Sequence, residues 1–539
     1  MIPLNKYPLV KIIELSEFNL LYDSRKNLIL KLDKQESDKL IKFLNDELEP
    51  YSNSIDFKIF RDMQIKGYLI QGGLLERCND SILKFDKNYN KIIETIFPKK
   101  FCLEVTQNCN LRCKYCDYTT AENDLSDKGR KHSYQRMDIE IGKKAIDYYF
   151  NRLKYLYSRS ERSNFIKTIR DIEPMITFYG GEPLLEFDTL KELINYIKLF
   201  DFAEYGLKRD DFNITINSNL TVLTNVMMEF VVDNNITLHI SLDGPKDIHD
   251  KMRVFKNGQG SFEKVLENLN KIKTYNTNYY KDKLFFLSVN HEFNNIEETA
   301  KFFRNLSEDN ISPSFDFISL TKRGQCFPNV EKEVDNLKKD FELHLNQFRS
   351  RMSILTESIN ENSDISFEKT YQNDVDYREA VNLCVVFKDV NKNAGSNDSL
   401  KFNKINLCPV GYYSAYVDVK GDIHICEKTD GTFCIGNIFK GVLKKNVKSI
   451  VEKFVEIMNR DDCKNCWAFY YCDFCPAYLI NKGELNEPKL LDCEFMKLKT
   501  ELFISKYFIL VNEYSQLIDH ILNKNPKIQD YGKVIELSN

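Results

Sequence analysis

From residue 101 onward the chain alternates between two hydrophobic rhythms. The short runs FCLEVTQ, PMITFYGG, FNITINSN, TLHISLDG, LFFLSVNH and SFDFISL are rich in β-branched and aromatic residues, which predicts strands. Between them lie RMDIEIGKKAIDYYFNRLKYLY, DTLKELINYIKLF, NVMMEFVVDNN, SFEKVLENLNKIKTY and IEETAKFFRNL, whose apolar residues recur at helical spacing. Strands alternating with helices build a parallel sheet with helical crossovers. Six strands across residues 96–325 predict an α/β fold, a partial (β/α)6 barrel. In such barrels the chemistry sits at the carboxyl ends of the strands.

The flanks follow other patterns. Residues 1–95 predict a small separate domain: FNLLYDS and NLILKLD alternate like strands, and QESDKLIKFLNDEL gathers Leu40, Ile41, Phe43 and Leu44 on one helical side. FKIFRDMQIKGYLI predicts a further helix and strand. Residues 326–404 form a linker with bridging helices, such as NVEKEVDNLKKDFELHLNQF, and a loop, KDVNKNAGSNDSLKFN. A cysteine-rich region spans 405–500, and TELFISKYFILVNEYSQLIDHILNK opens a helical tail over 501–539. A net charge of -4 leaves no basic footprint for nucleic acid. No apolar run reaches membrane-spanning length, and the N-terminus carries charges where a signal peptide needs an apolar stretch. The expectation is a cytoplasmic protein without nucleic-acid or membrane partners.

The 15 cysteines change the picture. In a reducing compartment, clustered cysteines more often bind metal than form disulfides. CNLRCKYC places Cys109, Cys113 and Cys116 at C-x3-C-x2-C spacing directly after the first barrel strand. A loop this tight aims three thiolates at one point. Structural zinc takes a fourth protein ligand, for which Asp117 and the more distant His132 are on offer; a four-iron cluster held by three thiolates keeps one iron open to a small molecule. His132 otherwise reads as a loop residue, shaping the site or lying on the surface. Seven more cysteines follow: Cys408, Cys426, then CKNCWAFYYCDFC with Cys463, Cys466, Cys472 and Cys475, and finally Cys493. Alone, two CxxC pairs would read as a zinc ribbon. Cys78, Cys102 and Cys326 read as buried or inert thiols.

CNLRCKYC, with Tyr115 before its third cysteine, resembles the signature of the radical S-adenosylmethionine (SAM) superfamily. Gly180, Gly181, Glu182 and Pro183 resemble its GGEP motif after the second strand, and Asn217, Ser218 and Asn219 its polar turn after the third. SLDGP, from Ser241 through Asp243 to Pro245, followed by His249, Asp250 and Arg253, resembles the segment after the fourth strand in peptide- and protein-modifying members. The resemblance implies a 4Fe–4S cluster whose open iron is chelated by the amino and carboxylate groups of SAM. It places GGEP at the SAM amino group, Arg253 toward the carboxylate, the turn residues Ser241 and Asp243 near the ribose, and the Tyr115 backbone near the adenine. Reductive cleavage of SAM would give a 5′-deoxyadenosyl radical that takes hydrogen from a substrate, with the cofactor carrying the hard step.

The C-terminal cysteines resemble the SPASM domain of peptide-modifying members, which holds auxiliary 4Fe–4S clusters. By that resemblance Cys408, Cys426 and Cys475 bind a first cluster, and Cys463, Cys466, Cys472 and Cys493 a second. Two residues separate Cys472 from Cys475, where the usual pattern has three. Ser414 stands near the place of another cysteine in some relatives, which leaves the first cluster an open iron or a fourth ligand from elsewhere, with Cys434 and Cys384 as candidates. Glu427 matches a carboxylate that takes a proton during substrate oxidation in some relatives; the alternative is a solvated hairpin residue. Residues 1–95 resemble, in element order, the winged-helix leader-recognition element of ribosomal-peptide maturases, which binds a leader by strand addition. The first functional expectation is an oxidoreductase of RiPP maturation, acting on a ribosomally made precursor peptide to give an oxidised or crosslinked product, for example a thioether. A flavodoxin or ferredoxin would supply electrons. The alternatives are an anaerobic sulfatase-maturating, formylglycine-forming enzyme, and a zinc-stabilised peptide-binding module without catalysis.

Overall fold

The computed structural model describes residues 10–24, 27–44, 100–116, 118, 130–159, 174–290, 296–306, 318–319, 330–361, 375–394, 414–429, 433–458, 460–472, 479–481, 484–524 and 535–536. The chain begins with an antiparallel meander, β1 (Val10–Glu14), β2 (Asn19–Asp23) and β3 (Leu28–Leu32), followed by helix α1 (Lys34–Leu44). The predicted helix and strand at FKIFRDMQIKGYLI lie outside the described residues.

The barrel follows in the predicted order. Strand β4 (Lys100–Thr106) leads to α2 (Ile139–Arg159), β5 (Met175–Gly180), α3 (Phe187–Ile197), β6 (Asn213–Ser218) and α4 (Asn225–Asp233). Then come β7 (Thr237–Ser241), α5 (Lys246–Met252), α6 (Phe262–Tyr275), α7 (Thr277–Lys283) and β8 (Leu284–Leu287). Short β9 (Val289–Asn290) continues β8, and after α8 (Ile296–Leu306) it pairs in parallel with β10 (Ile318–Ser319), the sixth barrel strand. Helices α5 and α7 were not expected from the sequence.

Strand alternation sorts these residues into two faces. Phe101, Leu103, Val105, Ile176, Phe178, Ile214, Ile216, Leu238 and Ile240 share a core with Ala145, Ile146, Tyr149, Leu193, Ile194, Val231, Val265 and Leu269 of the surrounding helices. The alternate positions Lys100, Cys102, Glu104 and Thr106 on β4 pair with neighbours such as Thr177 and Tyr179. Thr177 in turn pairs with Thr215, Thr215 with Thr237, and Asn217 with His239. The inner wall is therefore largely polar. It differs from the layers of branched apolar residues that fill a closed barrel.

Helices α9 (Val330–Lys339), α10 (Phe341–Glu361) and α11 (Val375–Ala394) precede a β-meander of β11 (Ser414–Val417), β12 (Asp422–His424), β13 (Cys434–Asn437) and β14 (Gly441–Val442). Strand β11 pairs in parallel with β4, so the meander continues the barrel sheet in the order β14-β13-β12-β11-β4-β5-β6-β7-β8. Helix α12 (Lys444–Met458) and the short α13 (Asp461–Lys464) follow, then the small hairpin β15 (Ile480–Asn481) and β16 (Glu484–Leu485). Helices α14 (Leu490–Glu513) and α15 (Ser515–Lys524) lead to β17 (Ile535–Glu536), which pairs in parallel with β3. Ile13, Leu20, Tyr22 and Ile29 share a second core with Phe348, Met352, Tyr377, Phe387, Tyr507, Phe508 and Leu517. The N-terminal strands thus pack on the bridging and tail helices. No helix among the described residues is long and apolar enough to cross a membrane.

A half-buried ion network ties three of those helices together. Arg351 Nη1 lies 2.6 Å from Asp376 Oδ1 and 2.7 Å from Glu379 Oε2, and Lys506 Nζ lies 2.7 Å from Glu379 Oε1. Burial alone would raise the Glu379 carboxyl, but Lys506 and Arg351 outweigh it and hold it at about 2. The folded chain therefore binds this proton more weakly than the unfolded chain, and stability rises with pH across the interval. The contribution is complete above the ordinary carboxyl value of 4.5 and is lost as the pH falls toward about 2. Glu379→Gln is expected to flatten the fall of the thermal midpoint between about pH 5 and pH 2. Parallel curves for the two proteins would show that the network does not couple to stability.

Candidate functional site

The loop from Cys109 to Cys116 leaves the carboxyl end of β4, where β5, β6 and β7 also end. It is pinned by backbone bonds from Arg112 N to Val254 O (2.7 Å) and from Lys114 N to Met252 O (3.0 Å). The Arg112 guanidinium donates to the carbonyls of Cys109 (2.9 Å) and Leu111 (2.7 Å). Three N–H groups face thiol sulfurs: Leu111 N to Cys109 Sγ (3.4 Å), Asn219 Nδ2 to Cys109 Sγ (3.7 Å) and Tyr118 N to Cys116 Sγ (3.4 Å). Burial, helped by Glu182, pushes the Cys109 thiol up to about 12. A thiol so placed becomes a thiolate against a metal. Among the described residues no three His, Cys, Asp or Glu side chains converge as ligands of one ion. An iron–sulfur cubane takes its thiolates at separate corners, more widely spaced than ligands on a single ion. The cysteine loop with its N–H donors fits such a cluster.

The glycines of GGEP permit a close approach. Gly180 has φ +141°, and a Cβ on it would run into the Thr106 carbonyl; one on Gly181 would run into the Asn108 carbonyl. The space serves two backbone bonds, Gly181 N to Thr106 O and Glu182 N to Asn108 O, both 2.8 Å. Pro183 opens a short 3-10 turn. Glu182 is fully buried; its carboxylate accepts from Leu184 N (3.0 Å), Ser218 Oγ (2.8 Å) and Asn219 N (2.7 Å). Burial raises it to about 7 against these three donors. It braces the ends of β5 and β6 beneath the cysteine loop. Asn219 bonds Asn110 and Thr221, and Asn217 Oδ1 lies 3.1 Å from His239 Nδ1 on the inner wall.

The SLDGP segment forms a buried charged centre. Asp243 is fully buried and receives Arg253 Nε (2.9 Å) and Nη2 (3.1 Å), the Tyr115 hydroxyl, and Val289 N (3.0 Å). Burial would raise this carboxyl, yet Arg253 and His249 hold it below its ordinary value. The Arg253 guanidinium lies 5.1 Å from the Tyr115 ring centroid and interacts with Cys113. Asp243 N donates to His249 Nδ1 (3.3 Å), so Nε2 carries the proton toward Ser261 Oγ (2.9 Å), which donates to Arg253 O (2.9 Å). Asp250 accepts from Phe262 N at the start of α6. Ser241 pairs with Leu287 at the end of β7.

At the opposite end of β4, Glu427 is buried rather than solvated. Its oxygens meet Lys100 Nζ (2.7 Å), Ser414 Oγ (3.1 Å) and Cys426 Sγ (3.3 Å). Burial would raise this carboxyl, but Lys100 holds it far below the usual carboxylate range. Cys463, Cys466, Cys472 and Cys493 pack partly buried on the main core; burial and the neighbouring Cys463 and Cys466 raise the Cys493 thiol. Cys408, Cys475, Cys78 and Cys326 lie outside the described residues. Cys434 Sγ donates to Gly436 O at 3.0 Å, and Cys384 sits in the second core, away from the core on which Cys426 packs. Cys102 is fully buried, its thiol pushed to about 12 by burial.

Sequence reasoning missed a group between these two ends. Tyr118 donates to Glu104 Oε1 (2.6 Å) and its hydroxyl lies 3.0 Å from that of Tyr416. Glu104 Oε2 accepts from Gln107 Nε2 (3.2 Å) and Val419 N (3.0 Å). The Arg130 guanidinium stacks 3.9 Å from the Tyr416 centroid and donates to the carbonyls of Glu427 and Cys426. His132 stacks on Tyr118 at 5.7 Å, and burial with nearby Arg112 lowers it to about 4. The period-two polar positions of β4 were the available signal; the partners are too distant in sequence to be read.

Residues 103–306 match the model of the Radical SAM superfamily. A cysteine-type anaerobic sulfatase-maturating enzyme of Clostridium novyi (strain NT) is 28% identical over 200 residues, 37% of this chain and 46% of that protein. The radical SAM cyclopropyl synthase TigE of Paramaledivibacter caminithermalis is 27% identical over 242 residues, 45% of this chain and 46% of that protein. The chain thus spans less than half the length of either curated relative. A solved structure, histidine-tagged anSMEcpe with bound AdoMet, superposes with a TM-score of 0.52 at 17% identity, covering 81% of this chain and 100% of that one; the likeness is one of fold. The cysteine loop, the GGEP turn and the Asp243–Arg253 centre all lie at the strand ends of the matched segment, so residues 103–306 are a radical SAM domain.

Proposed function

We propose that this protein is a radical SAM maturase that oxidises or crosslinks a peptide substrate, a ribosomally made precursor being the first candidate. The observation that carries this reading is the position of the C-terminal meander. Strand β4 holds the Cys109–Cys116 loop beyond its carboxyl end and Lys100, paired to Glu427 beside Cys426, at its amino end. Seven strand residues put these ends about 20 Å apart across a polar wall. A peptide held in that lumen has a thiolate-bearing element on either side.

When bound, the barrel cluster and SAM supply the radical that removes a substrate hydrogen. The chain supplies the rest. Cys109, Cys113 and Cys116 hold the cluster; Gly180, Gly181, Glu182 and Pro183 with Asn217, Ser218 and Asn219 shape the cradle; Tyr115, Ser241, Asp243 and Arg253 face the SAM side. Cys408, Cys426 and Cys475, and Cys463, Cys466, Cys472 and Cys493, are the proposed ligands of two auxiliary 4Fe–4S clusters in a SPASM domain. Glu427 is the proposed acceptor of the substrate proton; its pairing with Lys100 keeps it ionised but makes it a weak base, so the transfer needs that pair to loosen when substrate binds. In the N-terminal winged-helix-like domain, strand β1 ends the sheet order β1-β2-β3-β17 among the described residues, an edge on which a leader strand could add. A flavodoxin or ferredoxin remains the proposed electron donor.

Formylglycine formation is the second reading, favoured by the similarity to the Clostridium novyi protein. Product mass separates the two, since crosslinking removes two hydrogens whereas formylglycine from cysteine also loses sulfur. After anaerobic reconstitution, about 12 irons per chain are expected for three four-iron clusters. Reductant and SAM are then expected to give 5′-deoxyadenosine. About four irons would remove the auxiliary clusters, and zinc without iron would favour the binding module. Glu427→Gln is expected to lower peptide product by about 100-fold or more while 5′-deoxyadenosine formation continues. Equal loss of both would make Glu427 a brace for Lys100 instead.

A further inference from the structure

We propose that His239 is a positioning residue for SAM: by donating from Nδ1 to Asn217 Oδ1, it turns the N–H groups of the Asn217 amide toward bound SAM. This rests on the reading of the turn after β6 as part of the SAM cradle, and it assigns the contact within that turn to one residue.

Two of the three turn residues are already committed. The Ser218 hydroxyl donates to Glu182 Oε1 at 2.8 Å. Asn219 Nδ2 donates to Asn110 Oδ1 (3.1 Å) and faces Cys109 Sγ (3.7 Å), while its Oδ1 accepts from Thr221 N (2.9 Å) and Oγ1 (2.6 Å). Both residues are buried. Asn217 differs: it is half-buried, on the inner wall, and its Oδ1 lies 3.1 Å from His239 Nδ1. Its Nδ2, with two N–H donors, has no partner among the described residues. Asn217 stands two residues before Asn219, which reaches Cys109, so this amide sits at the cluster end of the lumen.

The sheet sets the pair. Asn217 on β6 lies opposite His239 on β7, and His239 lies opposite Phe285 on β8. The Phe285 ring stands edge-on to the imidazole, with centroids 5.7 Å apart at 83°, and so holds its plane. Burial, with the Lys100 charge, lowers His239 to about 3, so the ring is neutral and one nitrogen carries the proton. A proton on Nδ1 draws Oδ1 toward the ring and leaves the amide N–H groups outward. A proton on Nε2 would reverse the amide and present a carbonyl instead. No partner among the described residues draws the proton to Nε2. The contrast is His249, whose Nε2 is held by Ser261 while its Nδ1 accepts. Outward N–H groups suit the oxygen and nitrogen acceptors of SAM.

The test is equilibrium binding of SAM to the full chain, reconstituted anaerobically and kept without reductant, so that SAM binds but is not cleaved. Asn217→Ala and His239→Phe are each expected to weaken SAM binding about 5- to 10-fold, the weight of one hydrogen bond, with iron content kept. The double variant is expected to bind no more weakly than either single one, because both changes remove the same contact. An asparagine amide reaches the place of the imidazole Nδ1, and a glutamine amide the place of Nε2. His239→Asn is therefore expected to bind SAM like the parent chain and His239→Gln like His239→Phe, which it replaces should that variant lose its iron. Losses that add in the double variant, or parental binding in both His239→Phe and His239→Gln, overturn the positioning role and leave Asn217 in the cradle. Parental binding in Asn217→Ala removes Asn217 from the cradle and the inference with it. No SAM binding by the parent chain overturns the SAM reading itself.

Discussion

The inner face of strand β4 carries charges that the barrel alone does not neutralise. Lys100 and Glu104 alternate there with Phe101, Leu103 and Val105, which face the helices. A buried charge costs several kcal/mol unless paired and hydrogen-bonded. Lys100 finds Glu427, and Glu104 finds the backbone N–H of Val419, both on the C-terminal meander. The meander is thus bonded to the barrel twice, by the β11–β4 ladder and by the partners those charges require. It is part of the barrel wall.

The same economy of buried polar groups shapes the strand ends. Glu182 does not point its carboxylate at open space; it gathers N–H and O–H donors from β6 and the turn after it, fixing the distance between two strand ends. Asp243 does the same for Arg253, Tyr115 and Val289, which come from three different segments. The cysteine loop then rests on surfaces whose geometry is already set, as preorganised sites require. Gly180 and Gly181 matter because a side chain there would push the loop off that surface.

What was legible in the sequence follows from the range of the interactions. Strands such as PMITFYGG and helices such as SFEKVLENLNKIKTY declare themselves through local periodicity, and the loop cysteines through close spacing. The pairing of β11 with β4 had no such signal: SAYV is four residues long, and its partner lies more than 300 residues earlier. Glu427 read from sequence as base or solvated residue because Lys100, 327 positions away, could not be seen beside it. The tail was read as helical only, so β17 on β3 was missed: two paired residues, Ile535 and Glu536, make no pattern.

Arg130 shows how closely the two ends of the lumen are joined. Its guanidinium stacks over Tyr416 and lies 5.7 Å from the Tyr118 ring centroid, while its N–H groups hold the carbonyls of Cys426 and Glu427. Tyr118 stands two residues beyond Cys116, so one side chain touches both the cysteine loop and the hairpin that carries Cys426. A guanidinium suits this place: it stays charged, offers planar donors to two carbonyls and stacks on aromatic rings at once. Lysine would keep the charge and lose the stacking plane; glutamine would keep donors and leave Glu104 and the two tyrosines without their cation. Any shift of the hairpin must therefore move Tyr416 against Tyr118, and through Tyr118 the end of the cysteine loop. The spacing between the cysteine loop and the hairpin that carries Cys426 is thus fixed by packed, hydrogen-bonded side chains.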